Sequence, residues 1–138
     1  MESGYSVTHL VKREGVTIGF FTLVTDSLQR ERVDESEFHD CQYGKFPAMK
    51  IARLATHKDF ERQGVGQFMI NKALTYGYYI TRDIGCCVIT VDAKKGSVGF
   101  YEKFSFVRAK TKSDSDTITM YFNLAQAIKN AFARQNLK

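Results

Sequence analysis

The sequence predicts a mixed α/β domain, and three observations carry this prediction. Two segments rich in β-branched and aromatic residues, 5–12 and 16–25, flank a short turn and predict a hairpin. An apolar stretch at 48–56 is followed by a glycine turn and a helical pattern over 64–80. Further strand and helix patterns then alternate along the chain. The length of 138 residues and the hydrophobic content of 43% suit one domain with its own core.

The other predicted elements follow in a simple order. Residues 26–46 are polar and charged, so we expect this insert to be the most mobile part, with at most a short helix. Pro47 should mark the start of the strand at 48–56. The later elements are a strand at 86–92, a helix at 97–104, a short strand from Phe106 to Arg108, a strand at 117–122 and a helix at 123–136.

Both long helices are predicted to be amphipathic. The helix at 64–80 carries apolar residues at Val65, Phe68, Met69, Ala73, Leu74 and Tyr76. The spacing of Val65, Phe68, Met69 and Ala73 predicts a buried stripe. In the last helix, Leu124, Ile128 and Phe132 share one face. This face could cover an edge of the domain or meet a second copy of the chain, so a homodimer is a candidate assembly.

The turn at Gln63-Gly64-Val65-Gly66 is a candidate site for a diphosphate. It follows a strand and opens a helix, where the first backbone N–H groups have no partner within the helix. Glycines at this position let an anion approach those N–H groups. The turn is neither a dinucleotide fingerprint nor a P-loop, because the third glycine of the former and the Gly-Lys-Ser/Thr of the latter are missing. An ordinary glycine-rich helix start is the alternative interpretation.

A second segment, CCVITVDAKKGSVGFYEKFSFV at 86–107, favours the diphosphate site. Together, ERQGVG and FYEKFSF resemble the two signatures of the GNAT N-acetyltransferase superfamily. The resemblance implies a mixed, mostly antiparallel twisted sheet with splayed central parallel strands and flanking helices. Compared with that family, this chain is shortened at the N-terminus. The resemblance also implies acetyl-CoA as the cosubstrate.

The resemblance assigns the coenzyme-binding residues position by position. Backbone groups of Leu54, Ala55 and Thr56 would pair with the pantetheine arm, and one of their N–H groups would polarise the thioester carbonyl. The diphosphate would be surrounded by Arg62, Gln63, Gly64, Val65, Gly66 and Gln67. The family's leading Arg or Gln is Glu61 here, which puts the side-chain part of this binding in doubt. A second departure is Ser105, which replaces a glycine of the tyrosine signature.

Tyr101 is the predicted general acid, by the same resemblance. A phenol with an ordinary pKa of about 10 is protonated at neutral pH and can donate to a thiolate. Packing beside Phe100 and Phe104 is the alternative role for this side chain. The general base stays open: the candidates are Asp92, His57, Glu37 and His39, and water can also serve.

The sequence leaves several functions open. The main prediction is transfer of an acetyl group to a primary amine. The alternatives are a non-catalytic acyl-CoA sensor, a nucleic-acid-binding module, and a toxin-type enzyme that acetylates aminoacyl-tRNA. The net charge of +5 fits an anionic cosubstrate and leaves tRNA as a candidate partner.

Composition and cysteine usage point to a cytoplasmic protein. No C-x-x-C pair is present, so we expect no structural zinc site, and the site as a whole is expected to hold no metal. No signal peptide and no apolar run of membrane-spanning length are visible, so we expect no membrane association.

Overall fold

A computed structural model describes residues 4–38, 44–110 and 116–136 of the chain. The helices are α1 (Val65–Asp83), α2 (Val98–Glu102) and α3 (Leu124–Asn136). The strands are β1 (Val7–Arg13), β2 (Val16–Gln29), β3 (Lys45–Thr56), β4 (Val88–Lys94), β5 (Val107–Arg108) and β6 (Thr117–Asn123). Short 3-10 turns lie at 30–32, 35–37, 58–60 and 95–97.

The described strands form one six-stranded sheet in the order β1-β2-β3-β4-β6-β5. All neighbouring pairs are antiparallel except β3 and β4, which are parallel and lie at the centre. The chain between these two strands includes α1, since a parallel pair needs a crossover connection. The predicted fold class is therefore confirmed, including the central parallel pair.

One face of the sheet packs against α1. Helix α1 buries Val65, Met69, Ile70, Ala73 and Gly77 against the central strands. The predicted stripe is wrong at one position, because Phe68 is 47% exposed. The ring of Phe68 instead lies beside the Lys72 ammonium group, at 5.5 Å.

The described residues of the charged insert, 26–38 and 44–46, form more regular structure than the sequence suggests. Strand β2 continues to Gln29, and β3 begins at Lys45, so Pro47 lies within the strand rather than at its start. Residues 39–43 lie outside the described part. The described residues of the insert contribute to a second apolar cluster, made of Leu28, Val33, Phe38, Phe46, Ala48, Val88, Ala109 and Tyr121.

Stacking of aromatic rings holds this second cluster together. The rings of Phe38 and Phe46 stack with centroids 4.4 Å apart, and Phe46 is fully buried. The backbone N–H of Lys110 donates to the Arg32 carbonyl oxygen at 2.9 Å, and Arg32 Nε donates to the Lys110 carbonyl oxygen at 3.1 Å, which ties the insert to the chain after β5. Apolar residues scattered among charges thus anchor the insert.

Helices α1 and α2 meet at a glycine. A Cβ atom added at Gly66 would lie 3.0 Å from two carbon atoms of the Phe100 ring. The absence of a side chain at Gly66 therefore lets the first turn of α1 approach α2. This contact brings the glycine turn and the tyrosine signature of the sequence together in space.

Removing side-chain volume from the insert tests whether it belongs to the core. Leu28→Ala should lower the free energy of unfolding by about 2–5 kcal/mol, because Leu28 is 2% exposed. The matched control is Leu10→Ala, at a position 57% exposed, which should change it by less than about 1 kcal/mol. Urea denaturation followed by circular dichroism measures both. Equal effects of the two substitutions would mean that the insert is not packed.

Adding one methyl group tests the contact between α1 and α2. Gly66→Ala should destabilise the protein by about 1–3 kcal/mol, because the added Cβ has to displace the Phe100 ring. Gly99→Ala is the control, since its added Cβ meets no atom within 4 Å and alanine favours a helix. Combining Gly66→Ala with Phe100→Leu should restore part of the loss in thermal denaturation. A Gly66→Ala variant as stable as Gly99→Ala would contradict this packing.

Candidate functional site

A cleft opens where the two central parallel strands separate. Pairing of β3 with β4 covers only Ala48 to Ile51 and Val88 to Val91, although both strands continue beyond these residues. The register of β3 against β2 shifts at this level, so that Ala52 forms an irregularity like a β-bulge. A bulge bends its strand, and here it lies at the point where β3 departs from β4.

The cleft contains a cavity of about 430 Å³. Its walls come from β2, β3, β4 and the start of α2. The lining residues are Phe20, Ile51, Ala52, Arg53, Leu54, Ala55, Val91, Asp92, Ala93, Lys94, Ser97 and Tyr101.

The β3 wall of the cleft offers main-chain groups. Leu54 and Ala55 line the cavity and pair with β2 on one side, while β4 within the described residues provides no partner on the other. An extended ligand can pair with such a free strand edge. Thr56 is half-buried, pairs with Gly19 and does not line this cavity. Two of the three residues predicted on this strand therefore lie at the cleft.

The glycine turn leaves the start of α1 open. Gly64 is the N-cap residue, with a left-handed φ of 83°, and no side chain caps the helix. Arg62 also has a positive φ, of 62°. The N–H groups of the first helical turn are therefore available to an anion. Val65 is buried, so any ligand contact from this residue comes from its backbone.

The side chain of Gln63, one of the residues predicted to surround the diphosphate, makes contacts within the protein. The side-chain amide of Gln63 accepts a hydrogen bond from Arg13 Nη1 at 3.2 Å and donates to the Asp59 carbonyl oxygen at 3.5 Å. Its side chain is thus engaged within the protein. Arg13 places a guanidinium group beside the turn, which sequence reasoning missed because the hairpin brings it there from fifty residues away. Arg62, Gln67 and Glu61 are exposed.

Tyr101 lies on α2 and lines the same cavity as Leu54 and Ala55. Its side chain is 6% exposed and packs edge-on against Phe100 and Phe106, with ring centroids 5.1 and 5.6 Å away. Burial raises the pKa of the Tyr101 phenol, because the charged form is poorly solvated. The phenol is therefore a proton donor at neutral pH.

Asp92 faces the same cavity but is held in an ion pair. Its carboxylate accepts from Lys50 Nζ at 2.6 Å and from Thr119 Oγ1 at 2.8 Å. Partial burial acts to raise the pKa of Asp92, but these two hydrogen bonds and the Lys50 charge outweigh it, so the pKa is lowered. A carboxylate in this state is a weak base, which argues against Asp92 as the general base.

Two other candidate bases, His57 and Glu37, do not line the cavity. His57 Nδ1 accepts from the backbone N–H of Asp59 at 3.1 Å and caps the 3-10 turn at 58–60. Glu37 is exposed in the insert, and its carbonyl oxygen accepts from Asn123. His39 lies outside the described residues.

Two further findings concern metal ions and membranes. Among the described residues, no group of three or more His, Cys, Asp and Glu side chains could hold a metal ion. Among the same residues, no helix has the length and apolar character needed to cross a membrane.

Solved structures with a similar fold have been described. AtaT in complex with acetyl-methionyl-tRNAfMet superposes with a TM-score of 0.80 at 17% identity, covering 94% of this chain and 76% of AtaT. A tyrosine-to-phenylalanine mutant of KacT gives a TM-score of 0.72 at 16% identity, covering 82% and 66%. A mutant AtaT toxin bound to acetyl-CoA and the C-terminus of the antitoxin AtaR gives 0.64 at 17% identity, covering 84% and 64%. At such identities the likeness shows the fold.

The sequence itself matches a known domain family. The profile of the acetyltransferase (GNAT) domain matches residues 6–121, which is most of the chain and includes the glycine turn, the cleft and Tyr101. The chain belongs to the GNAT acetyltransferase family.

Proposed function

We propose that this protein transfers an acetyl group from acetyl-CoA to a primary amine by direct attack, with Tyr101 as the general acid. The observation that carries the proposal is the presence of a protonated, buried phenol in the same cavity as the free edge of β3. Such a cavity would place a thioester between a proton donor and unpaired main-chain N–H groups.

The proposed binding mode uses both ends of the cleft. The coenzyme diphosphate would lie on the N–H groups of 62–67, where the helix dipole favours negative charge. Arg13 would add a positive side chain beside this turn and offset the nearby Glu61. The pantetheine arm would pair with Leu54, Ala55 and Thr56 as an added strand, which brings the thioester toward Tyr101.

The proposed reaction consists of one addition and one elimination. The neutral amine nitrogen attacks the carbonyl carbon and forms the C–N bond, and an N–H group of β3 stabilises the oxyanion. The C–S bond then breaks, and Tyr101 donates its proton to the leaving thiolate. The amine loses its proton to water, since none of the described side chains that line the cavity is a suitable base. Solvent then returns a proton to the phenolate.

An aminoacyl-tRNA is the second candidate acceptor, and specific observations favour it. Arg53 and Lys94 line the cavity and carry positive charge beside a single carboxylate. The net charge of the chain is +5. One structural neighbour, AtaT, is described in complex with acetyl-methionyl-tRNAfMet. The α-amino group of an aminoacyl-tRNA is a primary amine attached to a polyanion, which suits this arrangement.

Removing the phenolic oxygen tests the general acid. Tyr101→Phe should lower turnover by about a hundredfold or more, because the thiolate loses its proton donor. The Kd for acetyl-CoA should stay within about twofold, since the ring and its packing are retained. Stopped-flow thiol release and calorimetry measure the two quantities. Tyr79→Phe, at a 47% exposed position on α1, is the control and should match the wild type. Equal turnover of the two variants would remove Tyr101 from this role.

A panel of acceptors tests the substrate class. Thiol release from acetyl-CoA should be fastest with aminoacyl-tRNA, and raising the salt concentration should slow it because tRNA binding releases counterions. Free amino acids and polyamines provide the comparison. Faster, salt-independent reaction with small amines would rule out the tRNA acceptor. Tight binding of acetyl-CoA without thiol release for any acceptor would favour an acyl-CoA sensor instead.

A further inference from the structure

An ion pair bridges the two central strands at the level where their main-chain pairing ends. The last paired residues are Ile51 and Val91. Lys50, which precedes Ile51 and pairs with Thr90, and Asp92, which follows Val91, both lie on the opposite face from α1. Lys50 Nζ lies 2.6 Å from Asp92 Oδ2. This is a side-chain link between β3 and β4 immediately before they separate.

The link extends to a third strand. Thr119 of β6 donates to the other carboxylate oxygen of Asp92 at 2.8 Å. Asp92 is therefore held from both sides, by β3 and by β6. The partial burial of the pair, with 29% and 39% of the two side chains exposed, reduces the screening of its attraction by water. The charge of Arg32, on the insert, also stabilises the Asp92 carboxylate.

A second bridge lies two residues earlier on β4. Thr90, which is 1% exposed, donates to Asp26 Oδ2 at 2.8 Å. Asp26 belongs to β2, so this hydrogen bond spans β3 above the small side chain of Ala48, which pairs with Asp26. Side-chain links therefore join the strands up to the base of the cleft, and the Lys50–Asp92 pair is the link that lies nearest the cleft.

We propose that the Lys50–Asp92 pair is a clasp that sets the opening of the cleft and so positions the thioester against Tyr101. The proposal rests on the proposed function, since it assumes that acetyl-CoA occupies the cleft. Lys50 and Asp92 act as positioning residues.

The clasp acts on Tyr101 through the chain connection. Strand β4 ends at Lys94, and a 3-10 turn at 95–97 leads directly into α2, which carries Tyr101. A change in the position of the β4 end relative to β3 therefore moves the phenol relative to Leu54 and Ala55. Small displacements of reacting groups have large effects on rate.

Substituting Lys50 tests the clasp more directly than substituting Asp92, because Asp92 lines the cavity and Lys50 does not. A change in ligand affinity on Lys50→Met then acts either through Asp92 and the strand or through the lost positive charge, and the lost charge would weaken both anionic probes alike. Two probes separate the ends of the cleft: acetyl-CoA, and the adenosine bisphosphate fragment of the coenzyme, which has no pantetheine arm. We expect Lys50→Met to weaken acetyl-CoA binding by about fivefold and to leave binding of the fragment unchanged.

Matched variants complete the experiment. Lys50→Arg retains the charge and the ion pair, so its affinity for acetyl-CoA should stay close to that of the wild type. Lys12→Met, on the edge strand β1, removes a lysine remote from the clasp and should bind both probes normally. Asp92→Asn makes the same comparison from the other strand, should Lys50→Met fail to fold. Calorimetry gives the affinities, and thermal denaturation shows whether each variant is folded.

The outcomes separate the clasp from the function on which it rests. Selective loss of acetyl-CoA affinity in Lys50→Met, with recovery in Lys50→Arg, supports the clasp. A Lys50→Met variant that binds acetyl-CoA like the wild type, or loses both probes equally, overturns it alone. Failure of the wild-type protein to bind acetyl-CoA would overturn the proposed function and the clasp together.

Discussion

The separation of β3 from β4 is the constraint on which the candidate site depends. Two parallel strands in the middle of a sheet normally pair along their whole length and leave no space between them. Here the pairing stops at Ile51 and Val91, the irregularity at Ala52 bends β3 away, and a cavity opens. Everything assigned to the site lies on the walls of this opening or at its ends. The core formed with α1 and the second cluster under the insert hold the two strands in these positions.

Most of the fold could be predicted because its patterns are local. The hairpin, the strand before the glycine turn and the two long helices all show their periodicity in the sequence. The packing of the insert is not visible in the sequence, because Leu28, Val33 and Phe38 are separated by charged residues and show no period. Their partner Phe46 lies at the end of the insert, whereas Tyr121 comes from β6, which is distant along the chain. Phe68 was assigned to the core on spacing alone, although the first turns of α1 turn this position toward solvent.

The site could be predicted only in outline. Gly64 and Tyr101 stand out because they belong to recognisable motifs, and the structure brings those motifs together. The reason for Gly66 could not be read from the sequence, since the space it leaves is filled by Phe100 of another helix. Arg13 and Lys50 were missed for the same reason. Both are ordinary surface cations in the sequence, and only the sheet register places one at the turn and the other against Asp92.

The most direct test follows the backbone amide signals of the protein by NMR during titration with acetyl-CoA. The central claim is that the cleft between β3 and β4 holds the thioester while the start of α1 holds the diphosphate. The account predicts saturable shifts of the amides of 54–56 and 62–67 and of those around Tyr101, with residues 7–10 of β1 little affected. Saturating acetyl-CoA that left these amides unchanged, or shifted signals elsewhere instead, would contradict it.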